Sequence, residues 1–299
     1  MAEHKSGFVN IIGRPNVGKS TLLNGLVGER MSIISAKPQT TRHRILGIVN
    51  EEAYQIVFSD TPGMIQDPKY KMQAAMNHFA MTVLEDADIL LIMTDVLEER
   101  YTGEEQIIAS FKKCSAKRFL VINKMDIDHS KAEELAIYYK ELLEPDHIFL
   151  ISALNKIGTD VLLDTIIEEI PIHAPFYPKD QLTDKPERFF ISEIIREKIF
   201  LQYHQEIPYS CEVVIQEFNE VVKNDAPFVF VKAEIYVMRK NQKVIIIGKG
   251  GSSIKQLGIE ARKSIEEFIG KRIHLELYVR VKENWRNDDR LLKSFGYVK

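Results

Sequence analysis

The sequence predicts an α/β fold, a mostly parallel sheet covered by helices on both faces, followed by a smaller α+β domain. Three observations predict it. Six short β-branched apolar runs alternate with five amphipathic stretches across roughly the first 170 residues. Four prolines with no helical or strand period then occupy residues 171–186. Beyond them a helix, a run of strands, a glycine-rich turn, a helix and a last strand suit a small α+β sheet.

The strands are expected at Phe8–Gly13, Ile45–Asn50, Tyr54–Asp60, Ile89–Asp95, Phe119–Asn123 and Ile148–Ser152. They lack polar alternation, as strands buried on both faces do. Helical periods fall over residues 19–28, 73–86, 104–114, 131–143 and 159–169. After the proline-rich stretch, residues 187–203 carry Phe190, Ile194, Ile195 and Phe200 on one helical side. Strands are expected at 211–218, 228–238 and Lys243–Ile247, then a helix at 252–269, a strand at 273–282 and a short helix at 287–295. The expected division is a first domain at 1–172, a linker at 173–186 and a second domain at 187–299.

Composition narrows the class. Among 299 residues, 45% are hydrophobic and 28% charged, which excludes a disordered chain. No apolar run reaches the roughly 18 residues that cross a bilayer. Met1–Lys5 passes straight into a strand pattern, so no secretory signal is expected. Cys114 and Cys211 are the two cysteines and stand far apart, which speaks against a disulfide scaffold or a cysteine-ligated zinc. A cytoplasmic setting follows as the expectation. Charge is asymmetric: residues 1–180 hold 19 basic and 26 acidic side chains, whereas residues 232–299 hold 16 and 8. A basic rear half points to a polyanionic partner.

Gly13-Arg14-Pro15-Asn16-Val17-Gly18-Lys19-Ser20 has the G-x-x-x-x-G-K-[ST] pattern between a strand and a helix. Its glycines let backbone N–H groups wrap the α- and β-phosphates. Lys19 reaches the β/γ oxygens, and the Ser20 hydroxyl ligates Mg²⁺. Thr21 follows at the helix start, where the dipole favours an anion. Asp60-Thr61-Pro62-Gly63 closes a strand, with Asp60 as a Mg²⁺ partner and the Gly63 N–H for the γ-phosphate. Asn123-Lys124-Met125-Asp126 follows another strand. There Asp126 accepts the N1–H and N2–H donors of guanine, and Asn123 and Lys124 brace the phosphate loop and cover the base. Ser152-Ala153-Leu154 leaves the last strand, where a backbone N–H can meet guanine O6. Four ordered elements at strand ends read as a site for GTP and GDP with Mg²⁺.

Between these motifs, Pro38–Arg44 has no regular period and offers Thr40 or Thr41 as a Mg²⁺ ligand that engages only with the γ-phosphate present; the reading favours Thr41. Met64 stands where many switch GTPases carry a water-orienting glutamine, and it has no donor for that task. The expected catalytic set is therefore Lys19, Thr41, Gly63 and Asn16. Asn16 serves either by holding a monovalent cation beside the β/γ bridge or as a loop-shaping hydrogen bond. A metabolic P-loop kinase is the disfavoured alternative, because Asp126 selects guanine.

In the rear half, Ile247–Ile254 holds Gly248-Lys249-Gly250-Gly251 between a strand and a helix. G-x-x-G suits close approach of a nucleic-acid backbone, as in the KH loop that clamps about four nucleotides. Lys249, Lys255, Arg262 and Lys263 gather there, so Gly248, Gly250, Gly251 and these cations are the expected RNA contacts. An anionic lipid surface is the rival partner for the same charge.

The phosphate loop GRPNVGKS, the segment QTTRHRI (39–45), DTPG and NKMD resemble GTPases of the Era family. So do SEIIREKI (192–199), IPYS (207–210), IGKGG (247–251), LGIEARK (257–263), HLELYVRVKENW (274–285) and FGYV (295–298). The resemblance spans nearly the whole chain. It implies a P-loop GTPase domain followed by a type-II KH domain, GTP hydrolysis, and a role in assembling the small ribosomal subunit. It further implies KH contact with the single-stranded 3′ end of 16S rRNA and peripheral residence at the cytoplasmic membrane face. No DNA partner is expected, and the chain is expected to be a monomer.

Overall fold

The computed structural model describes residues 3–35, 37–65, 67–97, 105–223 and 226–298. The chain divides into two compact units, Met1–Lys69 with Gln73–Asp184 and Tyr70–Met72 with Lys185–Lys299. The expected helix 104–114 begins one residue outside the described range.

The first unit runs β1 (Lys5–Gly13), α1 (Lys19–Val27), β2 (Ile45–Asn50), β3 (Tyr54–Asp60), α2 (Lys71–Thr82) and β4 (Ile89–Asp95). It continues with α3 (Glu105–Lys113), β5 (Lys117–Asn123), α4 (His129–Leu143), β6 (His147–Leu150) and α5 (Thr159–Glu169). The sheet order is β2-β3-β1-β4-β5-β6, with β2 antiparallel to β3 and every other pairing parallel. Every residue of β4 is buried, which explains its uninterrupted apolar run. One side of the core gathers Leu90, Ile92, Leu120 and Ile122 under Leu135, Tyr139 and Leu143 of α4. Parallel strands deliver their C-terminal ends to one rim. Gly13, Asp60, Asp95 and Asn123, each the last residue of its strand, stand along that rim.

The segment read as a linker is held against this unit up to Asp184. Gln55 on β3 is buried. Its amide donates to Tyr177 O at 2.8 Å, and its carbonyl oxygen accepts from the backbone N–H groups of Phe176 and Tyr177 at 2.7 and 3.0 Å. Edge strand β2 is closed by the same segment: Ile48 N donates to Leu182 O at 2.8 Å, and Leu46 N to the Asp184 carboxylate at 3.2 Å. A strap on an exposed edge satisfies backbone groups that would otherwise invite another strand. Prolines mark this stretch because it follows the sheet without joining its ladder, and composition alone does not separate that from a free linker.

The second unit runs α6 (Glu187–Gln202), α7 (Ile207–Ser210), β7 (Glu212–Lys223), β8 (Ala226–Val237), α8 (Lys240–Ile247), α9 (Ser252–Ile269), β9 (Arg272–Val281) and α10 (Asp289–Ser294). Its sheet order is β7-β8-β9, antiparallel and then parallel. Inward residues Val229, Val231, Ala233 and Ile235 pack against Ile191, Ile195 and Ile199 of α6 and Leu257, Ala261 and Ile265 of α9. Trp285 is fully buried and donates Nε1–H to Ser210 O at 3.0 Å.

One expected strand is wrong. Lys243–Ile247 is the end of helix α8. The run KVIII has strand composition, but Gln242 caps the helix start by accepting from Met238 N and Arg239 N, both at 3.0 Å. Ile246 alone in that run is buried, while Val244 and Ile245 are 68% and 49% exposed, the one-sided pattern of a helix rather than a strand between two layers.

Replacing Gln55 with alanine leaves three strap groups without partners. We expect a loss of about 1–3 kcal/mol in denaturant unfolding, with faster proteolysis confined to residues 173–184.

Candidate functional site

The phosphate loop owes its path to close packing. Gly18 has φ 100°, and a Cβ there would lie 2.2 Å from the Asn123 amide nitrogen, so no larger residue fits. Gly63 is held as tightly, since an added Cβ would sit 2.6 Å from Pro15 N. No side chain caps the α1 N-terminus. Its first N–H groups therefore face the loop that precedes them, the arrangement that receives phosphate. Lys19 is buried and folds over the loop, donating to Gly13 O at 3.0 Å and Arg14 O at 2.7 Å.

Three oxygens converge beside it. Ser20 Oγ donates to Asp60 Oδ2 at 2.7 Å and lies 3.0 Å from Thr41 Oγ1, which reaches the same carboxylate oxygen at 3.2 Å. Of the two candidate threonines, Thr41 is the one that meets Ser20 and Asp60. The second carboxylate oxygen, Asp60 Oδ1, is buried without a hydrogen-bond partner among the described residues. Burial pushes the Asp60 carboxyl above the usual carboxylate range, while the Lys19 ammonium and the Ser20, Ser32 and Thr41 hydroxyls pull it back. An orphaned carboxylate oxygen beside two hydroxyls is a hard-oxygen donor set that fits Mg²⁺. No group of three or more His, Cys, Asp or Glu among the described residues could hold a metal. Any ion here would lean on hydroxyls and on phosphate oxygens.

At the far end, two strand exits are stitched together. The Asn123 amide donates to Val17 O at 2.8 Å, and its oxygen accepts from Ala153 N at 2.9 Å. Lys124, at φ 61°, donates to Asn16 O at 3.0 Å and pairs with the buried Asp95. Asp126 is exposed and accepts from the Asn155 amide at 3.0 Å.

Between the two ends lies a cavity of about 540 Å³, within the range of small-molecule pockets. Its wall includes Pro15, Asn16, Gly18, Lys19, Ser20, Thr21, Thr41, Gly63, Asn123, Lys124, Asp126, Ser152 and Leu154. Gly13, Arg14, Val17, Asp60, Thr61, Pro62 and Ala153 do not line it directly. Thr61, for example, donates to Ile11 O at 2.8 Å. Met64 packs against the Leu90–Leu120 core cluster. Sequence reasoning missed Asp95, Asn155 and the apolar wall residues Ile33, Ile34, Leu97 and Ile127. Only Asp95 carried a signal, an acid closing a strand as Asp60 does.

In the second unit, Gly248, Gly250 and Gly251 all have positive φ, at 72°, 59° and 77°. A Cβ at Gly250 or Gly251 would meet nothing within 4 Å, so conformation rather than crowding demands glycine there. Lys249, Lys255, Arg262 and Lys263 are exposed. Gln202 and Tyr203, also missed, anchor the loop from α6: Gln202 donates to Ser253 O at 2.9 Å, and the Tyr203 hydroxyl to Ile246 O at 2.9 Å.

Residues 8–124 match the family model described as a 50S ribosome-binding GTPase, and residues 206–286 match the KH domain model. The GTPase Era of Carboxydothermus hydrogenoformans is 42% identical over 296 residues, covering 99% of this chain and 98% of that protein. The chain belongs to the Era family of GTPases. It is thus a GTP-hydrolysing enzyme with a C-terminal KH domain. A variant of Aquifex aeolicus Era bound to GDP·AlF₄⁻ is 38% identical, with a TM-score of 0.93, over 99% of this chain and 100% of that one. A second Era structure, a complex with MgGDPNP and nucleotides 1506–1542 of 16S ribosomal RNA, has the same identity, coverage and TM-score. Among the described residues, no helix is long and apolar enough to cross a membrane.

Gly18→Ala tests the packing argument. We expect GDP affinity to fall at least about a hundredfold by titration, the order set by a strained, clashing loop, with an unchanged far-UV circular dichroism spectrum.

Proposed function

We propose that GTP lies along the cavity with its phosphates in the Gly13–Ser20 loop and its guanine at Asp126, and that the Gly248–Gly251 module holds the 3′ segment of 16S rRNA during small-subunit assembly. The observation that carries the nucleotide reading is the convergence of Ser20, Thr41 and Asp60 at one end of the cavity and of Asn123, Lys124 and Asp126 at the other. Each end matches a different part of one molecule.

Ser20, Thr41 and Asp60 would hold Mg²⁺, which neutralises charge on the β- and γ-phosphates when bound. Lys19 exchanges its two backbone carbonyl partners for phosphate oxygens. The Gly63 N–H meets the γ-phosphate, and Thr41 is drawn in only while that phosphate is present. Hydrolysis then frees the segments 37–44 and 60–70, of which residue 66 lies outside the described residues. The packed Met64 side chain offers nothing to orient the attacking water. Its lack of a donor supports a supplementary catalytic part for Asn16, a potassium ion beside the β/γ bridge. Replacing potassium with sodium would then lower turnover without changing GDP affinity.

RNA contact is supported by open glycines flanked by four exposed cations and by the rRNA-bound Era relative. The expected division of labour is a nucleotide domain at 1–172 and an RNA domain at 187–299, with the nucleotide state of the first setting the RNA affinity of the second. Equal affinity for the rRNA segment in the GTP-analogue and GDP states would defeat that coupling. The 16 basic against 8 acidic residues in 232–299 also support peripheral contact with an anionic membrane surface.

Two substitutions test the assignments. Asp126→Asn is expected to reverse base preference from GDP to xanthosine diphosphate, because an amide donates to the xanthine 2-oxygen where the carboxylate accepted from guanine. Gly250→Asp is expected to weaken binding of the 3′ rRNA oligonucleotide by about tenfold or more through charge and bulk at the backbone contact, leaving GTP binding intact.

A further inference from the structure

The loop between β6 and α5 is closed on itself. Ser152 N donates to Ile157 O and Ile157 N to Ser152 O, both at 3.0 Å, and Asn155 N donates to Ser152 Oγ at 3.3 Å. Backbone bonds also join this loop to the neighbouring strand exit, with Met125 N donating to Ile151 O at 3.0 Å and Ala153 N to the Asn123 side chain. The result is a short, stiff turn whose Asn155 amide nitrogen stands 3.0 Å from Asp126 Oδ2.

That contact has a chemical consequence. The terminal torsion of an exposed aspartate is broad and roughly two-fold, so an unsupported carboxylate samples many planes. Bidentate acceptance from guanine N1–H and N2–H requires one plane, that of the base. Each carboxylate oxygen has two lone pairs, so Oδ2 can accept from Asn155 and still accept from the base. We propose that Asn155 is a positioning residue that sets guanine specificity by holding the plane of the Asp126 carboxylate before nucleotide arrives. This deepens the reading of the cavity as a guanosine nucleotide site and rests on it. Asn155 acts through Asp126, and its amide is placed where the plane of the acceptor is decided rather than where the base stacks.

Inosine diphosphate separates positioning from a structural contribution. Hypoxanthine keeps N1–H but lacks the 2-amino group, so it makes a single bond to Asp126 and tolerates a rotated carboxylate. For Asn155→Ala we expect GDP affinity to fall about tenfold, the order of a lost hydrogen bond to a charged group. Inosine diphosphate should fall less than about threefold, shrinking the preference for GDP over it. Asn155→Asp puts a second carboxylate against the first. It should cost GDP more than the alanine variant does, because a like charge replaces the donor. An equal fall for both nucleotides, or none, would overturn the proposal, as would equal GDP losses in the two variants. The loop bonds described above are made by backbone groups and by Ser152 and Asn123, so both variants keep them. Asp126→Asn, measured beside them, reports on the parent reading. If it leaves base preference unchanged, the guanine assignment itself fails, whereas a switched preference with an inert Asn155→Ala removes only the role of Asn155.

Discussion

The candidate nucleotide site hangs on one buried side chain. Asn123 donates to Val17 O in the phosphate loop and accepts from Ala153 N in the loop after β6, so three segments far apart in sequence share one amide. Its occupancy of that spot is also why position 18 has no side chain. A buried amide of this kind must be satisfied at both its donor and its acceptor, and here backbone groups of the two loops do so. Moving either loop would orphan a donor or an acceptor, which makes the end of β5 the fixed point from which both halves of the cavity are measured.

The opposite end depends on a charge kept under tension. Asp60 closes β3 in full burial, with one oxygen met by two hydroxyls and the other unmet. Desolvation raises its pKa, and the nearby Lys19 ammonium offsets that only in part. A carboxylate so placed is suited to a cation that carries its own phosphate ligands, which explains why hydroxyls rather than further acids surround it. Thr41 belongs to a segment without regular structure, whereas Ser20 and Asp60 stand on rigid elements. The one movable member of the set is therefore the one able to report whether a γ-phosphate is present.

The two glycine-rich loops solve different problems. In the phosphate loop, neighbouring atoms press on the missing Cβ positions. In the Gly248–Gly251 loop, two of the glycines have open space around them, and left-handed backbone alone excludes other residues. The first loop is shaped by what packs behind it. The second stays bare in front, anchored from α6 by Gln202 and Tyr203, as a surface meeting a polymer backbone needs to be.

Much of this was written in local chemistry. The strands of the first unit were legible because strands buried in a mostly parallel, doubly covered sheet run apolar, and the motifs at their ends were legible because phosphate, metal and guanine each demand particular atoms at particular spacings. KVIII misled because its β-branched run carries no record of the Gln242 cap that makes it a helix. Residues 173–184 misled because a strap along a sheet edge and a free linker share a composition, and only the Gln55 and Ile48 partners tell them apart. Asn155 escaped notice because its role lies wholly in what it touches, whereas Asp95 was marked only by its place at the end of a strand. Sequence alone determined which atoms were on offer and in what order along the chain. The folded structure decided which of them came within bonding distance, since contacts between residues far apart in the chain are products of packing and leave no local pattern to read.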